Sequence, residues 1–83
     1  MIQSIPNEVI DWLSFEFFDK SESGKTEIWS IIHKDSREEL GEIIWNPQWR
    51  QYWAVFVDAG MTKGCLESCA QFLGKLMEAH KAK

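Results

Sequence analysis

Nine consecutive positions hold Trp45, Trp49, Trp53, Tyr52 and a solitary Arg50. Indoles offer broad polarisable faces, and a guanidinium is planar and permanently charged. Side by side they suit a flat ring that carries an anionic oxygen. Arg50 is the only basic residue between Glu38 and Met61. Pro47 bars a continuous strand here and restricts Asn46 before it, so the run must turn a corner. Trp49 and Arg50 fall in that corner, where side chains face solvent. Trp45 ends the strand before it, and Tyr52 and Trp53 begin the strand after it on opposite faces. The candidate ligand-binding residues are therefore Trp45, Trp49, Arg50, Tyr52 and Trp53. A purely structural account has Arg50 stacking on Trp49 or pairing with a carboxylate to pin the turn. The residues alone leave both accounts open.

The other reactive side chains form no catalytic pattern. Cys65 and Cys69 lie one helical turn apart on an apolar stripe, and neither His33 nor His80 stands at a zinc-ligand spacing from them. No Ser or Cys nucleophile occupies a recognisable elbow or histidine arrangement. No Gly-rich phosphate loop occurs, since Gly60 to Gly64 is too loose a match. Glu38 and Glu39 sit in a charged turn and read as solvated. The expectation is a binding protein with no enzymatic activity, no cofactor and no metal.

The elements that must position these residues follow from periodicity. Residues 12–20, 25–34, 40–46 and 51–58 are rich in aromatic and β-branched residues and partly alternate. Polar turns at 21–24 and 35–39 separate the first three. Residues 1–11 are compatible with either a helical turn after Pro6 or a run straight into a strand. Beyond Gly64 the period changes. Cys65, Leu66, Cys69, Phe72, Leu73, Leu76, Met77 and His80 mark an amphipathic helix. Glu67, Ser68, Gln71, Lys75 and Glu78 form its polar side, and Thr62 is the expected N-cap. The predicted fold class is α+β: a four-stranded antiparallel meander sheet with one C-terminal amphipathic helix packed on one face, as a single domain over residues 1–83. One helix covers one sheet face. Apolar residues also fall on the other face, which predicts a partner copy or a ligand there.

Composition narrows the partners. The chain has 83 residues, is 45% hydrophobic and carries a net charge of −4. An acidic balance disfavours non-specific DNA or RNA binding. The charge is uneven: residues 1–60 hold five Lys/Arg against eleven Asp/Glu, and residues 61–83 hold four Lys against two Glu. Lys75, Lys81 and Lys83 suit a helix C-terminus. No apolar run is long enough to span a membrane, and two cysteines give no sign of an oxidising compartment. The expected location is cytoplasmic, that of the host cell if the protein is viral.

Gly41, Ile43, Trp45, Pro47, Trp49, Arg50 and Tyr52, followed by Cys65, Leu66, Ala70, Phe72 and Leu73, resemble a widespread set of small bacteriophage proteins. Their pattern reads G-x-I-x-W-x-P-x-W-R-x-Y, a strand, then C-L-x-x-x-A-x-F-L. The resemblance covers residues 41–80. It departs at residues 54–57, where those proteins often carry aromatics before a Pro, and residues 1–40 take no part in it. Small phage proteins without enzyme motifs are often inhibitors of host defence. The chain is similar in size and aromatic corner to the anti-CBASS sponges. That resemblance implies an immune-evasion protein that sequesters a cyclic oligonucleotide without cleaving it, in a site shared within a homodimer or higher oligomer. The rival expectation is a protein–protein inhibitor of a host defence complex. It would oppose a basic surface with Asp35, Glu38, Glu39 and Glu42, and its aromatic residues would be anchors.

Overall fold

Residues 4–56 and 60–81 are described by the computed structural model. The elements in chain order are β1 (Glu8–Ile10), β2 (Leu13–Lys20), β3 (Glu27–His33), β4 (Glu39–Asn46), β5 (Gln51–Phe56) and α1 (Lys63–Lys81). The sheet is antiparallel, with strand order β1-β2-β3-β4-β5. The fold is therefore α+β with a C-terminal helix, and the sheet has five strands where the sequence suggested four. The extra strand is β1. Its Ile10 pairs with Leu13 across a two-residue loop, and Asp11 opens that loop at φ 54°. Asp tolerates the left-handed region that tight hairpins require. Asn7 extends the pairing, its Oδ1 accepting the Phe17 N–H at 2.9 Å. The expected strand end at residues 57–58, and Lys83, lie outside the described residues.

Alternation puts Leu13, Phe15, Trp29, Ile31, Ile43 and Tyr52 on one face, where they are buried with Cys69, Phe72 and Leu76 of α1. Phe72 stacks on Phe15 at 4.4 Å and meets Trp29 edge-on at 4.9 Å. Three large rings thus fill the space under the helix, each removing roughly 150–250 Å² from water. Thr62 caps α1 as expected, its Oγ1 accepting the Cys65 N–H at 3.3 Å. The helix is turned slightly from the expected phase. Ser68, read as polar surface, is fully buried, and Leu66, read as core, is 50% exposed. Burial of Ser68 is tolerable because its hydroxyl lies 3.0 Å from the Gly64 carbonyl and 3.3 Å from Asp11 Oδ2.

Gly41 sits on β4 between Ile31 and Phe56. A Cβ there would stand 2.3 Å from the Val55 carbonyl oxygen and 3.1 Å from Phe56 Cα. Both obstacles are backbone and cannot swing aside. Gly41→Ala should therefore destabilise the protein by about 1–3 kcal/mol. Urea denaturation measures this, and a midpoint equal to wild type would show that β5 can move away freely.

The face away from α1 is less apolar than expected. Its centre carries Ser14, Glu16, Ser30 and Glu42, and Arg37 closes over Glu16 with an ion pair of 2.8 Å. Ile28, Ile32, Ile44 and Val55 are half-buried among these neighbours. Large exposed apolar groups on and around this face are Trp49, Trp53, Phe18 and Val9. Phe18 is the extra residue of a β-bulge between Phe17 and Asp19. Val9 and the exposed Trp12 lie toward the β1–β2 loop, whereas Trp49, Trp53 and Phe18 gather toward the end of the sheet that holds the β4–β5 loop.

Beneath that same end lies a buried carboxylate. Glu27 accepts hydrogen bonds from the Ser4 N–H and hydroxyl, both at 2.9 Å, and from Trp29 Nε1 at 3.0 Å. Lys20 Nζ stands 3.4 Å away. The Glu27 N–H donates to the Tyr52 hydroxyl oxygen at 3.1 Å. This network ties residue 4, β2, β3 and β5 together through the interior.

Candidate functional site

The corner between β4 and β5 is built by Asn46. Its buried side-chain oxygen accepts the N–H groups of Gln48 at 3.0 Å and Trp49 at 3.1 Å. Its carbonyl accepts the Arg50 N–H at 2.8 Å. Arg50 takes the last loop position at φ 56° and returns the chain into β5. Three backbone donors are thereby satisfied without water, which makes the four-residue loop rigid. Sequence reasoning treated Asn46 only as a strand breaker. The missed signal was an Asn placed ahead of a four-residue loop.

The β3–β4 hairpin repeats this design. There His33 Nδ1 lies 3.3 Å from the N–H groups of both Asp35 and Ser36. The His33 carbonyl accepts the Arg37 N–H at 2.9 Å, and Arg37 closes the loop at φ 63°. The two arginines then differ. Arg37 is neutralised by Glu16, whose carboxyl is held below its usual range by that guanidinium and by Ser14. Arg50 is exposed and has no ion pair or side-chain hydrogen bond among the described residues. A non-glycine side chain at positive φ costs about 1–2 kcal/mol. In Arg37 an ion pair accompanies that strain, whereas in Arg50 nothing within the described residues does.

The five candidate residues divide between the two faces. Trp49 is 65% exposed and Trp53 38% exposed. Their rings meet edge-to-face at 5.8 Å and 69°. Trp53 pairs with Ile44 across the strands. The two indoles form an L-shaped notch on the face that Ile44 shares, and Arg50 follows Trp49 in the chain. Trp45 and Tyr52 face the other way. Trp45 meets Tyr52 edge-on at 5.2 Å and lies 4.6 Å from the His80 ring of α1. Tyr52 is buried, and burial pushes its phenol above the usual range. These two rings brace the hairpin against the helix C-terminus and do not face a ligand in the notch. The strand alternation is the cause: Trp45 and Tyr52 are directly paired on the core side, and Trp53 is one residue out of phase.

The notch can stack one flat ring and offer one cation to it. Between Ile43 and Phe56 the sequence contains no carboxylate. Among the described residues, no three His, Cys, Asp or Glu side chains stand close enough to share a metal ion. No helix among them is long and apolar enough to cross a membrane. No protein-family model, curated protein or solved structure matches this chain.

Proposed function

We propose that this protein sequesters a cyclic oligonucleotide without cleaving it, as an immune-evasion protein of phage type, two copies closing their Trp49–Arg50–Trp53 notches around one ligand. The observation that carries the reading is Arg50, unpaired among the described residues and held at positive φ in a hydrogen-bonded loop next to the exposed indoles Trp49 and Trp53. Base–aromatic stacking contributes about 1–3 kcal/mol per base. A hydrogen bond to a charged group adds roughly 1.5–3 kcal/mol. One notch reaches about 2.5–6 kcal/mol, and two reach about 5–12. Nanomolar capture takes about 12 kcal/mol, so only the paired arrangement approaches it. A cyclic dinucleotide has near two-fold symmetry, which suits an isologous pair.

The rival reading, a blocker that opposes a basic surface, needs the acidic and aromatic residues together. Asp35, Glu38 and Glu39 lie in and beside the β3–β4 loop, at the other end of the sheet from Trp49 and Arg50. A partner using these carboxylates together with the Trp49 corner would have to reach along the sheet past Glu42 on β4. A thermal-shift panel of cyclic di- and trinucleotides, with light scattering, tests the proposal. A bound ligand at about 100 times its dissociation constant stabilises by roughly 2.7 kcal/mol, a shift of several degrees in a domain this small. An unmoved transition across the panel, together with a monomeric mass, would end it.

A further inference from the structure

A second concavity lies at the opposite end of the sheet, where the β1–β2 and β3–β4 loops meet the start of α1. Its volume is about 500 Å³, and Trp12, His33, Leu40, Met61, Thr62 and Cys65 line it together with Gly60. That size is within the range of small-molecule pockets, which run from about 300 to 1,000 Å³. The walls are mainly apolar, and none of the lining residues is acidic, although the chain carries thirteen Asp and Glu.

Two groups beside it, on His33 and Lys34, can donate to an anion. The Lys34 ammonium stands 5.1 Å from the centre of the Trp12 ring. The His33 ring stacks on the same indole at 6.3 Å and 18°. His33 Nδ1 is occupied as an acceptor of two loop N–H groups, so the neutral ring carries its proton on Nε2. That N–H has no partner among the described residues. Lys34 is exposed and makes no ion pair among them. Trp12 is 57% exposed and sits in the two-residue β1–β2 loop.

We infer that this pocket binds a small carboxylate with an apolar body, independently of the Trp49 notch. The body lies against Leu40, Met61 and Cys65 beside the Trp12 indole. The carboxylate meets the His33 Nε2–H and the Lys34 ammonium, which leaves the indole face for it. Two features exclude a neutral or cationic occupant as the preferred one: a cation at the rim, and a lining without any carboxylate to receive a positive group.

Cys65 is a built-in reporter. It is half-buried in the pocket wall, whereas Cys69 is buried and its thiol is pushed up to about 11, chiefly by burial and then by Cys65. Iodoacetamide should therefore alkylate the native protein once, at Cys65, as read by mass spectrometry. Octanoate and 3-phenylpropionate should slow that reaction. Octanamide should need about ten-fold higher concentration for equal protection. Lys34→Ala should weaken octanoate protection by about ten-fold, with the circular dichroism spectrum unchanged. Trp49→Ala should leave protection as in wild type. Equal protection by octanamide would overturn the assignment of an anion. A Cys65 that fails to react in the native protein, or reacts equally fast with and without both carboxylates, would overturn the pocket itself. Protection by a cyclic dinucleotide and by neither carboxylate would also overturn it. Apart from protection of Cys65 by a cyclic dinucleotide, these results leave the reading of the Trp49 notch untouched.

Discussion

Arg50→Gly is expected to leave the fold intact and abolish ligand capture. Glycine takes φ 56° without the steric cost that an L side chain carries there. The loop keeps its three hydrogen bonds to Asn46, because all of them use backbone N–H groups. The entropic penalty of glycine offsets part of the relief. The melting temperature should therefore be unchanged or a few degrees higher. Binding should behave in the opposite way. Each copy loses its charge-assisted contact, and a two-fold site loses two of them. The loss is roughly 3–6 kcal/mol, or on the order of a hundred- to ten-thousand-fold in affinity. Isothermal titration with the best ligand of the panel, beside a thermal melt of the free protein, reads both quantities. Weaker binding with a lowered melting temperature would mean that Arg50 holds the corner. Unchanged binding would remove the guanidinium from the site.

Glu27→Ala should be the most damaging single change to stability at an interior polar residue. It strips the acceptor from Trp29 Nε1, from both donors of Ser4 and from Lys20 at once. Removing one partner of a buried charged network costs about 3–5 kcal/mol. A domain of this size has only about 4–12 kcal/mol to lose. Glu27→Gln keeps the shape and one acceptor, so its loss should be smaller.

The same network sets an acid dependence. Burial works to raise the Glu27 carboxyl, but hydrogen bonds from Trp29 and Ser4 and the nearby Lys20 outweigh it, and the group sits below its usual 4.5. Its contribution is therefore complete above the unfolded carboxylate value. It disappears as pH falls through the lower folded value. Urea unfolding of wild type should weaken between about pH 5 and pH 3, and Glu27→Gln should show less of that loss. Glu16 titrates low in the same window through Arg37 and Ser14. Its partner is half-exposed, so added salt screens that pair and leaves Glu27 in view. If both proteins lose stability equally across this range in high salt, Glu27 is not the source.

Sequence by itself determined the alternating strands, the change of period at the helix, the Thr62 cap, the turn after Asn46 and the exposure of Trp49. Each of these depends on residues a few positions apart, where side-chain direction follows from backbone geometry. It did not determine the partition of the corner, because facing depends on which residues pair across β4 and β5. Once Trp45 lies opposite Tyr52, both rings belong to the core and only Trp53 joins Trp49 outside. Ser68 and Leu66 exchanged their expected roles because the carboxylate that satisfies a buried hydroxyl comes from Asp11, far away in the chain. The pocket beside Trp12 was invisible for the same reason: its walls come from two hairpin loops and the start of a helix. Local chemistry fixed what each segment could become. Only long-range packing decided that Arg37 would find a carboxylate, while Arg50, in a loop of the same design, finds none among the described residues.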